Sequence, residues 1–277
     1  MHVYLIVIFN EKVYNTVTYK TLDTVLSTTL HDSKIIIWDN SPQAQHTEEE
    51  LINYINFDFE YYHSKSNESL SALYNKLIDK EFKGEADYFT ILDQDSSLSA
   101  NFKASMASVD KSKLLLPIVC SDKSGKVISP RYQRYNYFLN KCSIDYISLQ
   151  CKQQSTYPSK DFFAVGSGMT ITKNVWATGI RFREELSFYG VDTEFCVDYS
   201  KMISSFILLD TKVSHNASNE HDEGYEKFKW RLKKYYEHWR YQLVAHTQMP
   251  KGVSAVYVHY FFYYALLKNR IKRLLKH

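Results

Sequence analysis

The chain has 277 residues, a formal net charge of +3, and 23 Tyr and 16 Phe against 8 Gly and 5 Pro. That length suits one large domain, or one domain with a small appendage, able to bury a sizeable core. The charge is too small to argue for a nucleic-acid partner, and the composition excludes low complexity. Cys120, Cys142, Cys151 and Cys196 show no CxxC or zinc-type spacing and read as reduced, structural thiols of a cytosolic protein. The apolar start, Val3 to Phe9, runs into Asn10-Glu11-Lys12 without a small-residue cleavage site, so no signal peptide is expected.

Val3 to Phe9 is a continuous apolar run, the pattern of a strand buried on both faces. A helix is predicted over Tyr14 to Leu30, with Val17, Leu22, Val25 and Leu26 as a rough stripe. A second buried strand, Lys34 to Trp38, ends in Asp39-Asn40-Ser41-Pro42. A short helix follows over Glu48 to Ile55, then a strand over Phe57 to His63. Asn67 to Ile78 reads as a helix with Leu70, Leu73, Tyr74 and Leu77 on one face. The strand Tyr88 to Leu92 ends in Asp93-Gln94-Asp95-Ser96. This alternation predicts an α/β fold, a mostly parallel sheet with helices on both faces. In such sheets ligands bind outside the carboxyl ends of the strands, where Asn10-Glu11, Asp39-Asn40-Ser41 and Asp93-Gln94-Asp95 would converge. Two carboxylates one residue apart suit a divalent cation held together with substrate phosphates. Taken alone, the same residues also make a polar turn.

The middle of the chain is less regular. Lys113 to Cys120 is a predicted strand, and Lys126 to Tyr146 is polar and aromatic with Arg131 and Arg134. Phe162 to Thr172 reads as one extended stretch interrupted by Gly166 and Gly168, the mark of a bulge or of a ligand close to the backbone. Asp192 and Glu194 form a second carboxylate pair one residue apart, leading into a helix over Cys196 to Met202. A strand, Ser205 to Asp210, precedes Val213-Ser214-His215-Asn216. Phe228 to Ala245 is a long aromatic and basic helix. The apolar segment Val253 to Leu267 is shorter than the roughly 20 residues of a transmembrane helix and runs into a basic tail from Lys268 to His277. Three readings fit it: a helix on an anionic membrane surface, a helix packed on the domain, or a pairing surface for a homodimer. The expected division is a domain over 1–227 and a helical extension over 228–277.

Taken in order, Phe9-Asn10-Glu11, Asp39-Asn40-Ser41, the Asn67 to Asn75 helix, Leu92-Asp93-Gln94-Asp95-Ser96, Gly166-Ser167-Gly168-Met169 and Val191-Asp192-Thr193-Glu194-Phe195-Cys196 resemble the inverting, metal-dependent nucleotide-sugar glycosyltransferases of family 2. The likeness is greatest to the rhamnosyltransferase-like enzymes of bacterial surface-polysaccharide assembly. The resemblance implies a GT-A (Rossmann-like) fold, a nucleoside-diphosphate sugar as donor, a glycan or polyprenyl-linked acceptor, and Mg2+ or Mn2+. It implies donor binding by Asn10, Glu11, Asp39, Asn40, Asn75 and Asp93, with Asp39 on base or ribose. Asp95 would be the direct metal ligand, with Asp93 beside it and His215 either a third ligand or a structural histidine. Asp192 would be the catalytic base. Gly168, Met169 and Glu194 would face the acceptor, Glu194 in binding or support because residues two apart on a helix do not share a face. Rhamnose on a deoxythymidine diphosphate, and galactofuranose, galactose or glucose on a uridine diphosphate, are the donors in view. The location implied is cytoplasmic, at the inner face of the cell membrane if the last segment meets lipid. Asn67-Glu68-Ser69-Leu70 departs from the family by lacking a glycine. A nucleotidyltransferase is the second reading, but Asn10-Glu11-Lys12-Val13-Tyr14 is not a glycine-rich phosphate loop. An inactive carbohydrate-binding scaffold is a third, against which the acids are all present.

Overall fold

A computed structural model describes residues 1–27, 32–147, 155–216 and 224–274. Strands β1 (His2–Ile8), β2 (Ser33–Asp39), β3 (Asp58–His63) and β4 (Tyr88–Asp93) pair in parallel in the order β3-β2-β1-β4. They are joined through helices α1 (Val17–Leu26), α2 (Glu48–Ile52) and α3 (Leu70–Lys83). The continuous apolar runs follow from burial on both faces, because successive side chains of a strand point to opposite sides. Val3, Leu5, Ile36 and Trp38 join one core with Leu73 and Leu77 of α3. Tyr4, Ile6, Ile8, Ile35 and Ile37 join the other with Leu22, Val25 and Leu26 of α1. Truncating Leu5 or Ile37 to Ala is expected to cost about 2–5 kcal/mol.

Beyond these lie β5 (Ser96–Leu98), β6 (Leu115–Ser121), β7 (Val127–Ser129), β8 (Arg131–Asn136), β9 (Lys141–Tyr146), β10 (Ser155–Pro158), β11 (Phe162–Phe163) and β12 (Thr170–Thr172). Helices α4 (Lys173–Ala177) and α5 (Val191–Met202) follow, then β13 (Ser205–His215), α6 (Tyr225–Thr247) and α7 (Lys251–Leu274). The main sheet continues from β4 as β12-β6-β13-β10, with β12 antiparallel to both neighbours and β6 parallel to β13. A separate antiparallel sheet is ordered β11-β8-β9. The sheet is mixed and mostly parallel, with helices on both faces, as expected. Helices α6 and α7 pack as a hairpin through Trp239, Leu243 and Val258. The hairpin is tied to the β8–β9 tip, where Trp239 Nε1 donates to the Tyr137 carbonyl (2.6 Å) and the Tyr257 hydroxyl to that of Phe138 (2.9 Å). Among the described residues, no helix is long and apolar enough to cross a membrane.

Several boundaries differ from expectation for local reasons. The first helix begins at Val17, where the Thr16 hydroxyl caps it by accepting from the Tyr19 N–H; Val13–Asn15 is a separate 3-10 turn. The third helix begins at Leu70, because Asn67 adopts φ +47, a left-handed conformation that Asn visits more readily than most residues. Asn67 itself thus takes a conformation that a glycine would allow. The stretch Phe162 to Thr172 is not one strand: β11 belongs to the small sheet and β12 to the main one. Lys126 to Tyr146, irregular in sequence, holds β7, β8 and β9. His215 is the last residue of β13 and does not follow the strand. The predicted helix end at Leu30, Cys151 and the last three residues of the basic tail lie outside the described residues.

Candidate active site

The turn Gln94–Asp95 joins β4 to β5, and neighbouring elements fix its shape. The Phe9 N–H at the end of β1 donates to Gln94 Oε1 (2.7 Å), and Gln94 Nε2 donates to Glu11 Oε2 (3.2 Å). From α1, the Thr18 hydroxyl donates to the Asp93 carbonyl (2.5 Å) and accepts from the Ser96 N–H (2.8 Å). The Ser96 hydroxyl is bonded in turn to that of Ser167. Antiparallel pairing of β5 with β13 sets Ser96 opposite His215. Asp95 Oδ1 therefore lies 3.2 Å from His215 Nδ1, and Asp93, Asp95 and His215 each offer a ligand atom within 4.8 Å of the others.

The electrostatics of this cluster are those of a cation site. Burial pushes the Asp93 carboxyl up to about 6; His215 opposes the rise, while repulsion from Asp95 and Asp192 adds to it. Burial pulls His215 down, but its bond to Asp95 and the fields of Asp93, Asp95 and Asp192 outweigh that and raise it. Two hard carboxylates and one borderline imidazole, with no thiol, form a donor set compatible with Mg2+ or, more readily given the nitrogen, Mn2+. A divalent cation would offset both the burial of the Asp93 charge and its repulsion by Asp95 and Asp192, so the residues present fit such an ion.

Asp192 lies in the first turn of α5, which starts after Gly190 at φ +83. Its Oδ1 accepts from the Thr193 N–H (2.8 Å). Burial raises its carboxyl, against the pull of that N–H, of His238 and of the Gly166 N–H. Asp192 acts on the titration of both Asp93 and His215, so the expected base and the expected metal ligands share one electrostatic neighbourhood. Tyr74, read from the sequence only as a core residue, belongs to it too: burial raises its hydroxyl, and Asp93 and Asp192 add to the effect. Gly168 has φ +82, and a Cβ there would lie 2.7 Å from Pro117. That close approach, with the Gly168 N–H donating to the Ile91 carbonyl (2.8 Å), is why this position is glycine.

Other predicted residues are engaged within the protein. Met169 is fully buried in the core. Glu194 is 2% exposed and is taken by α6: Oε1 accepts from His238 Nε2 and Gln242 Nε2 (3.2 Å each), and Oε2 from His246 Nε2 (2.9 Å). Burial pushes Glu194 up, but the two histidine bonds outweigh it and hold the carboxyl at about 2. These bonds tie α6 to the turn that carries Asp192. The signal missed in the sequence is His238, Gln242 and His246, spaced four apart on one face of a helix.

Asp39 is fully buried at the end of β2, with Oδ1 accepting from the Ser41 N–H (2.9 Å) and Oδ2 from the Gln45 N–H and Tyr61 hydroxyl (2.7 Å each). Asn40 Oδ1 accepts from Trp38 Nε1 (2.9 Å) and the Glu68 N–H (3.0 Å), and its Nδ2 donates to the Glu68 carbonyl (3.1 Å). The Asn75 amide is bound at both ends by the Phe182 backbone (2.9 Å each). The side chains of Asn40 and Asn75 therefore hold loops together in this structure. Asn10, exposed and at φ +54, donates its N–H to Ser41 Oγ (2.7 Å). It stands with Glu11 at the strand edge that also carries Asp39 and Asp93.

A scan against protein-family models and a search of curated protein sequences gave no match. Solved structures do match. GalNAc-T7 in complex with UDP, GalNAc and Mn2+ aligns at TM-score 0.62 and 14% identity, over 93% of this chain and 54% of that one. TarS from S. aureus aligns at TM-score 0.53 and 12% identity, over 92% of this chain and 41% of that one. Its 1–349 segment with UDP-GlcNAc aligns at TM-score 0.54 and 11% identity, over 93% and 70%. The chain thus spans about half the length of GalNAc-T7 and two fifths of TarS. Identity this low establishes likeness of fold: the chain has a GT-A-like glycosyltransferase fold.

Proposed function

We propose that the chain is a metal-dependent, inverting glycosyltransferase that moves a sugar from a nucleoside diphosphate to a hydroxyl of a glycan or polyprenyl-linked acceptor. The family-2, rhamnosyltransferase-like resemblance remains our reading, in surface-polysaccharide assembly, with residues 1–227 as the catalytic unit. The observation that carries the proposal is the convergence of Asp93, Asp95 and His215 at the strand ends within the field of Asp192. GalNAc-T7 and TarS hold UDP or UDP-GlcNAc, which puts uridine donors first in the test and deoxythymidine diphosphate rhamnose second.

In this reading Asp93, Asp95 and His215 would hold the divalent cation, which would supply charge neutralisation for a departing diphosphate. Asn10 and Glu11 stand at the nucleoside side of the same edge, and Asp39, buried beneath it with both oxygens bonded within the protein, shapes it. Asp192 accepts the proton of the acceptor hydroxyl as that oxygen bonds to the anomeric carbon, and the bond from that carbon to the diphosphate oxygen breaks with its electron pair. Burial favours this role, since it lifts Asp192 toward the working pH. The N–H of Thr193 and the α6 clamp on Glu194 orient the turn.

The test is a donor panel with Mn2+, read by released nucleoside diphosphate: UDP-linked GlcNAc, GalNAc, galactose, glucose and galactofuranose, and deoxythymidine diphosphate rhamnose. Slow metal-dependent hydrolysis or tight binding of at least one is expected. No binding and no hydrolysis across the panel would defeat the proposal.

A further inference from the structure

The most distinctive surface outside the site is the outer face of α7. Val253, Val256, Tyr260, Tyr263, Leu267 and Ile271 recur every three or four residues and are each between 49 and 74% exposed. They form an apolar and tyrosine stripe along one side of the helix. The opposite side, through Ser254 and Val258, is already buried, with Val258 packed on α6. The stripe does not close on the domain, and a contiguous exposed patch of this kind marks an interaction surface.

Charge identifies the partner. α7 carries five Lys and Arg and no Asp or Glu, four of the five lying between Lys268 and Arg273. From Tyr225 to Leu274 there are eleven Lys and Arg against two Glu, a charge of +9 in a chain whose net charge is +3, which leaves −6 for the remainder. Tyr263 also lines a groove of 610 Å³ between α6 and α7 that bears Lys229, Lys233 and Arg240 together with Glu226 and Glu237. A second copy of this hairpin would bring +9 against +9, with only Glu226 and Glu237 to offset it and no acid on α7 itself. A surface that is apolar, tyrosine-rich and flanked by cations matches the interface of an anionic bilayer, where aromatic rings sit at headgroup level and Lys and Arg meet phosphate. We propose that the α7 stripe lies in the plane of an anionic lipid surface and docks the protein there reversibly. This inference stands apart from the catalytic reading, since lipid binding requires neither donor nor metal.

The test is flotation of the full chain with phosphatidylcholine vesicles, with and without phosphatidylglycerol, in the absence of nucleotide and metal. Binding only to the anionic vesicles, weakening as salt is raised, is expected. Val256→Asp with Leu267→Asp changes two exposed positions and is expected to cut binding by about tenfold or more at unchanged helical circular dichroism. Lys268→Glu with Arg270→Glu is expected to do the same through the headgroups. No flotation, equal binding to neutral vesicles, or binding indifferent to both double variants overturns the proposal. So does a concentration-dependent dimer that Val256→Asp abolishes, which would give the stripe to a second copy.

Discussion

Asp93 ends a strand and Asp95 lies in the turn that follows it; Asp192 and Glu194 share the first turn of a helix. Both pairs are one residue apart in sequence, yet the structure treats them in opposite ways. At the strand end both acids reach His215. On α5 they diverge: Asp192 enters the field of Asp93, while Glu194 is bound by three α6 side chains. The energetics diverge as well. Asp93 is pushed up to about 6, chiefly by burial, whereas Glu194 is held at about 2 by its histidines. A carboxylate raised in this way is poised to take up a cation or a proton, and a depressed one is already satisfied.

The largest effect expected is at Asp192. Asp192→Asn should lower kcat by about 10²–10⁴-fold, the range for loss of a general base, with nucleotide affinity unchanged; loss of nucleotide binding would reassign the residue to the donor. Asp95→Asn should weaken Mn2+ binding, measured by calorimetry, by more than about a hundredfold, beyond what loss of an outer-shell partner costs. Glu194→Gln should leave Mn2+ binding intact but destabilise the fold by about 3–5 kcal/mol in urea, as removal of one partner from a buried pair does.

Stability sharpens the contrast further, because the two pairs should answer with opposite sign. Asp93→Asn, without metal, should stabilise the protein by about 1 kcal/mol by removing a buried like charge. The pH dependence should divide the same way. Glu194 has a folded pKa below its ordinary 4.5, so its contribution is complete above that pH and is lost as pH falls toward about 2. Asp93 has a folded pKa above its ordinary 3.8, so its cost is absent at low pH and develops as pH rises through about 6. Thermal melts in chelator should show Glu194→Gln removing the limb below pH 4.5 and Asp93→Asn the fall between pH 3.8 and about 6. Identical pH profiles for the two variants would break the distinction.

Much of this was legible in the sequence. The unbroken apolar runs of β1 and β2 gave a two-faced sheet because Val3 to Ile8 and Ile35 to Trp38 pack alternately on one core and the other, and the abrupt change to Asp93-Gln94-Asp95 marked its ligand edge. His215 was a weaker expectation, since only the β5–β13 register brings it to Asp95. The fate of Glu194 was not legible. Its partners come 44 to 52 residues later on α6, and no local rule links a helix start to a stripe of His and Gln so distant. Asn40 and Asn75 illustrate the same limit. An amide at a strand edge or helix face suits a ligand or a loop equally, and here the Glu68 and Phe182 backbones claim them. The β7–β9 region stayed unread because its strands are short and half-exposed, which weakens the alternation that marks a strand.

The central claim, that the strand-end acids bind a cation together with a nucleoside diphosphate, is tested most directly by calorimetric titration of UDP and of deoxythymidine diphosphate, with and without Mn2+. The wild-type chain is expected to bind one of them only with Mn2+, Asp95→Asn not to bind it, and Asp192→Asn to bind it as the wild type does. Binding that is indifferent to Mn2+, or equal in Asp95→Asn and wild type, would contradict it.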